Sequence, residues 1–223
     1  MNVDLLRTDI RRWGWFRSIF MRIMPRVRSY AGLHIFQIHV RPLIRCPPDP
    51  GLPRGITLRV IRPEELFKAT NDPELEISPD FVRAALARGD MAFGAFDGDS
   101  LVAYTWRTFT AAPQNGLWVK VSRPYRYGYK SLTRPSYRGK RLHAAVSLFS
   151  DAYFLDEGYT HDAGYNAIEN FSSQAMRKYL GTTLIGYAGY LKWRGHYIQF
   201  RTPSVKRIGF EFFEACERQS TQS

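Results

Sequence analysis

Apolar positions recur at three- and four-residue steps near the start of the chain, at Leu6, Ile10, Trp13, Phe16, Phe20 and Ile23. That spacing predicts an amphipathic helix from residue 4 to about 24, weakened at Gly14. "CPPDPGLPRG" (46–55) then breaks any periodic structure and predicts a linker. Beyond it, "ITLRVI" (56–61) reads as a strand, and 63–70 and 79–88 read as short helices. Pro63 suits the first turn of the first helix, and Gly89 ends the second. "MAFGAF" and "LVAYTWRTF" are strands joined by "DGDS" (97–100), a hairpin signal. "LWVKV" (117–121) and "YRYGYKSLT" (125–133) are further strands. Leu142, Ala145, Val146, Phe149, Ala152 and Tyr153 form the stripe of a helix over 140–154. A strand at 159–166, a helix at 170–180 closed by Gly181 and a final pair of strands, "TLIGYAGYLKW" and "HYIQFR", complete the pattern. The order β-α-α-β-β-β-β-α-β-α-β-β predicts an α/β chain with a mixed, mostly antiparallel central sheet flanked by helices. A basic amphipathic helical extension precedes it. The predicted parts are an extension and Pro-rich linker (1–50), one domain (51–215) and a flexible tail (216–223).

Composition changes this picture in two ways. At 223 residues and 44% apolar content the chain can bury a sizeable core without disulfides. The two cysteines, Cys46 and Cys216, lie far apart with no metal-ligand spacing, and read as free thiols of a reducing, cytoplasmic compartment. His34, His39 and His196 form no metal-binding spacing either, so no metal is expected. No apolar run is long enough to span a bilayer.

The net charge of +12 is unevenly placed. Residues 1–50 hold nine Arg against three Asp, and residues 101–150 hold nine Lys and Arg and no carboxylate. Such blocks attract phosphate, nucleic acid or anionic lipid. In the N-terminal block, arginines surround Trp13, Trp15, Phe16 and Phe20, the makeup of a helix that lies at an anionic bilayer surface. Residues 1–45 therefore carry two readings: a helix docked on its own domain, or a peripheral anchor at the inner membrane face. A nucleic-acid partner is not expected, because strand packing accounts for the aromatics. The pattern leaves the oligomeric state open.

The central block is sharpest at "RPSYRGKRLH" (134–143), where Arg134, Arg138, Lys140, Arg141 and His143 surround Gly139 between a strand and a helix. A helix start presents N–H groups without intrahelical partners and the positive end of the dipole, which suits a pyrophosphate. No P-loop or Rossmann glycine pattern is present.

With its flanks, "LTRPSYRGKRLH" resembles the turn of the GNAT superfamily of acyl-CoA-dependent N-acyltransferases, in which a strand, a V-x-P-like step and an R-x-x-G-x-G/A turn open the central helix. Asn170, Ser173 and Gly181 resemble that family's N-x-x-A helix start and its closing glycine. The resemblance covers about residues 56–200. It implies acetyl-CoA or a longer acyl-CoA as co-substrate, and a small-molecule or lipid amine as acceptor. It places the pantetheine arm along Leu132, Thr133 and Arg134, and the pyrophosphate on Arg138, Gly139, Lys140, Arg141, Leu142 and His143. Asn170 and Ser173 would face the cofactor arm, and strands 125–133 and 159–166 would splay to admit the thioester.

The chain departs from the family pattern at three positions. Arg141 and His143 stand where the turn has small residues, and Arg177 stands where many members carry the tyrosine that protonates the departing thiolate. Tyr179, two positions later, is turned away by about 200°. A backbone N–H near Leu132 could serve the oxyanion, and His161 is the candidate base, with Asp162 beside it. The alternative is a GNAT-like binding module without chemistry, using its basic surface on membrane or nucleic acid.

Overall fold

The computed structural model describes residues 3–45, 51–114 and 116–214. Cys46, Cys216, the proline run of the expected linker and the expected tail lie outside them. The elements begin with α1 (Val3–Trp13), α2 (Trp15–Ala31), β1 (Leu33–Pro42), β2 (Ile56–Val60), α3 (Pro63–Ala69) and α4 (Pro79–Ala87). Next come β3 (Met91–Asp97), β4 (Ser100–Thr108), β5 (Ala111–Gln114), β6 (Leu117–Lys120) and β7 (Tyr125–Thr133). The chain continues with α5 (Leu142–Phe149), α6 (Asp151–Asp156), β8 (His161–Ala167), α7 (Phe171–Tyr179), β9 (Thr183–Trp193), β10 (His196–Arg201), α8 (Pro203–Arg207) and β11 (Glu211–Phe213). The class is mixed α/β with a mostly antiparallel sheet flanked by helices, and the order from β2 to β10 follows the sequence pattern with β5 added and one expected helix divided into α5 and α6.

The chain divides into two compact units: residues 1–39 with 165–207, and residues 40–164 with 208–223. The sequence placed a boundary at the proline-rich segment, whereas in this division residues 1–39 group with 165–207. The reason is β1, whose "LHIFQIHVRP" alternates well enough to bury Phe36 and Ile38. The sequence pattern left this strand unassigned.

In the larger unit, β2, β3, β4 and β7 form an antiparallel meander, and β8 adds to β7 in parallel. The link from β7 to β8 runs through α5 and α6, as a parallel pair requires. Leu142 and Val146 of α5 and Phe154 of α6 pack on Phe93, Ala95, Val102 and Ala103 of the sheet. A small sheet of order β11-β6-β5 completes the unit.

The helix expected over 140–154 is interrupted at Ser150, which carries a buried ionic network. Asp151 accepts from Arg41 at 2.5 and 2.8 Å and also from Arg126. Arg126 donates to Asp162 at 2.9 Å and to Ser150 Oγ at 3.1 Å. Arg107 donates to the same hydroxyl at 3.3 Å and to Thr105 Oγ1 at 2.8 Å. Burial, and then the neighbouring Arg126, push the Arg107 guanidinium down to about 9.

In the smaller unit, β1, β9 and β10 form a sheet of order β10-β9-β1. His34 stacks on Tyr190 with ring centroids 4.4 Å apart. The predicted N-terminal helix is two helices, because Gly14 adopts φ +81° between them. Trp13 and Phe20 both lie against Phe171 of α7, and Arg28 is ion-paired with Glu169.

Candidate active site

Strands β7 and β8 both run on past the short ladder they share. The ladder with β8 covers Tyr125, Arg126 and Tyr127 against His161, Asp162 and Ala163, while β7 continues to Thr133. On its other side, Ser131 faces Thr105 but Tyr129 faces Trp106, so Lys130 is an extra residue. Its φ of +36° marks a β-bulge, which bends a strand and re-aims its peptide groups. No sequence signal announced it, since a lysine gives no hint of positive φ.

The parity of hydrogen bonds decides which groups are available. Arg134 N donates to Val102 O at 2.9 Å. Alternation then turns the Leu132 peptide toward β4 as well, and turns the N–H and C=O of Ser131 and Thr133 to the opposite side. The oxyanion donor expected at Leu132 is thus better sought at Ser131 or Thr133. Arg138 already reads the exposed Thr133 carbonyl, donating to it at 3.3 Å.

The basic turn follows. Gly139 has φ +82°, and a Cβ there would meet nothing within 4 Å, so conformation and not crowding selects the glycine. Arg141 is the residue before α5 and has φ +60°, ψ +14°, with no side-chain cap on the helix. Gly139 and Arg141, both at positive φ, precede a helix start without a side-chain cap, the kind of end that suits an anion. Lys140 Nζ lies 4.3 Å from the Tyr137 ring centroid. The Tyr137 hydroxyl donates to Asp97 at 2.6 Å, and this bond raises its pKa above the usual phenol value.

Arg134 does not belong to this basic group. Its guanidinium donates to Leu101 O at 2.7 Å, to Glu74 at 2.8 Å and to Asp72, and Arg134 in turn holds the Asp72 carboxyl below its usual range. A cavity of about 800 Å³ opens beside it, lined by Glu64, Lys68, Asp72, Asp99 and Leu101 among others. Its charges are mixed, and Arg134 stands four residues past the bulge, about 13 Å along a strand.

His161 is not brought to the turn. It pairs with Tyr125 at the first position of the ladder, eight residues or about 25 Å of strand from Thr133. Its Nδ1 meets Thr160 Oγ1 at 2.7 Å, and its ring lies 5.1 Å from that of Tyr125. The sequence saw a titratable residue on the right strand but could not see where the register began.

Asn170 and Ser173 belong to the smaller unit. Asn170 Oδ1 accepts from Ser173 N at 3.1 Å, so the motif caps α7. Arg177 donates to Tyr165 O at 3.0 Å. His39 is buried, and neither ring nitrogen has a hydrogen-bond partner among the described residues. Burial, reinforced by Arg177, lowers its pKa to about 4, so it is neutral at pH 7. The sequence weighed His39 only as a metal ligand, and among the described residues no group of three or more His, Cys, Asp or Glu gathers.

No protein-family model matches the chain, and no curated protein matches it. Among solved structures, it is similar to a tandem GNAT protein from the clavulanic acid biosynthesis pathway, with 21% identity over 72% of this chain and a TM-score of 0.48. A GCN5-related N-acetyltransferase from Sphaerobacter thermophilus is similar over 80% of this chain at 13% identity and a TM-score of 0.49. The chain spans 55% and 56% of the length of these two proteins. An aminoglycoside 6'-N-acetyltransferase from Acinetobacter baumannii is similar at 16% identity, covering 57% of this chain and 90% of its own, with a TM-score of 0.45. At such identities and scores these are likenesses of outline, and the functional reading rests on the residues of this chain.

Proposed function

We propose that the chain is a divergent GNAT-type N-acyltransferase that moves an acetyl or longer acyl group from acyl-CoA to an amine. One observation carries the reading: β7 leaves its parallel ladder with β8 after Tyr127, bulges at Lys130 and leads into the Gly139 turn before α5. Ligands of parallel β-α-β units sit outside the carboxyl ends of the strands, and this is such an end.

The pantetheine amides would pair with the outward peptide groups of Ser131 and Thr133. The pyrophosphate would take the N–H groups opening α5, with Arg138 and Lys140 supplying countercharge. In the reaction the amine nitrogen attacks the thioester carbon, the C–S bond breaks, the thiolate leaves with CoA and the amine gives up a proton. An N–H of the β7 edge would face the oxyanion. No base is assigned, and the acceptor is a small-molecule or lipid amine.

Calorimetry with acetyl-CoA and longer acyl-CoAs tests the reading, and dissociation constants in the micromolar range are expected for at least one of them. Absence of binding for every acyl-CoA would remove it. A second reading, a GNAT-like binding module without chemistry, is favoured by Arg177, which stands at the acid position and is engaged with a backbone carbonyl. Acyl-CoA binding without thiol release in the presence of a panel of amines would select that reading.

A further inference from the structure

Helix α2 has two apolar sides and only one of them is packed. Five of its large side chains lie at the surface: Trp15 is 67% exposed, Phe16 72%, Ile19 40%, Ile23 47% and Tyr30 90%. At about 100° per residue these five fall within a single arc of about 100°. Packed contacts lie elsewhere on the helix: Ser18 is buried, Phe20 lies on Phe171 and Arg28 is paired with Glu169. Trp13 and Phe20, which the sequence pattern offered to lipid, thus belong to the packed side, and Ile19, Ile23 and Tyr30 take their place. A contiguous exposed stripe of this kind marks an interaction surface.

Charge selects the partner. Residues 3–31 hold seven Arg against two Asp, a net +5. One Asp is already used, since Asp9 is paired with Arg22 at 3.0 Å. Arg26 is exposed within the same arc, beside Ile19 and Tyr30. A symmetric contact between two copies would set this surface against itself and bring like charges together. A bilayer with anionic headgroups offers the opposite charge and an apolar interior for aromatic side chains. Among the described residues no helix is long and apolar enough to cross a membrane, so α2 would lie on the surface. We propose that the Trp15–Phe16–Ile19–Ile23–Tyr30 face of α2 docks the protein on anionic membranes.

Vesicle flotation of the full chain tests this, comparing phosphatidylcholine with phosphatidylcholine containing phosphatidylglycerol. The wild type should float with the anionic vesicles, weakly with the neutral ones, and less as salt rises. Phe16→Ser with Ile23→Ser should lower partitioning by about tenfold or more, with an unchanged circular dichroism spectrum, because both side chains are already at the surface. A control at another exposed site, Trp193→Ser, should bind as the wild type does. Tryptophan emission should shift to the blue on binding, less so in Trp15→Phe. Three results overturn the proposal: equal flotation with both vesicle types, a double variant that binds normally, or a wild-type dimer that the double variant makes monomeric. None of these depends on acyl-CoA binding, so the proposal and the acyltransferase reading stand or fall separately.

Discussion

Asp151 is fully buried and accepts from two buried arginines, Arg41 and Arg126, so its loss is more costly than that of a surface carboxylate. Asp151→Asn keeps the shape but leaves both cations short of a partner in a low-dielectric site. Breaking such a pair costs about 3–5 kcal/mol, to be read as a shifted urea midpoint with unchanged slope. Surface pairs such as Arg83–Asp80, with side chains 61% and 90% exposed, should be nearly silent in the same assay. His39 makes a pH prediction of defined sign. Its folded pKa of about 4 lies below the ordinary imidazole value of 6.5, because burial and Arg177 disfavour the charged ring. The folded state therefore binds fewer protons than the unfolded one in that window. The contribution is fully present above about pH 6.5 and is lost as pH falls toward 4. Burial also lowers the His34 pKa, which adds to the loss in the same direction. His39→Gln should flatten the stability–pH curve between these limits. A curve as steep as that of the wild type would mean the ring is solvated when folded.

At the scale of the element, most of the framework was legible because burial imposes a period. The β3–β4 hairpin, the helix openings at Pro63 and Pro79 and the strand–turn–helix around Gly139 all follow from apolar spacing and turn residues. What was not legible depends on partners distant in sequence. The bulge at Lys130 exists because β4 and β7 shift register, and His161 lies at the start of the ladder because only that end of β8 pairs with β7. The break at Ser150 comes from Arg107 and Arg126, which reach its hydroxyl from two different strands. The turn itself yields the element-scale prediction. Arg138→Ala with Lys140→Ala should weaken acyl-CoA binding, each lost charge-assisted contact costing about 1.5–3 kcal/mol, while thermal unfolding stays put. Gly139→Ala should weaken binding through conformation alone, since φ +82° strains any side chain although space is open. Unchanged affinity in both would move the pyrophosphate away from α5.

At the scale of the molecule, the decisive element is the strand the sequence pattern missed. An N-terminal extension ending in a linker should be removable, and a chain starting at Gly51 should then keep its fold. The observed division predicts otherwise, because residues 1–39 share a unit with 165–207. Starting at Gly51 strips β1 from that unit. It removes the bond from Lys192 N to Gly32 O at 2.9 Å, the ring of His34 from Tyr190 and the partner of Glu169. Phe36, 5% exposed, goes with them, and Tyr190 loses its cover. An uncovered apolar strand edge is an aggregation site. The truncated chain should therefore elute as aggregate in size-exclusion chromatography, or lose a cooperative thermal transition. A chain starting at Trp15 discards α1 and Gly14, and should remain monodisperse with a modest drop in melting temperature from the lost Asp9–Arg22 pair and the lost Trp13–Phe171 contact. If the chain from Gly51 instead melts cooperatively at the wild-type temperature, β1 is an appendage and the sequence boundary was right. This is also why surface substitutions on α2, and not truncation, are the means of testing membrane docking: cutting before Gly51 would remove the docking face and part of the unit's core together.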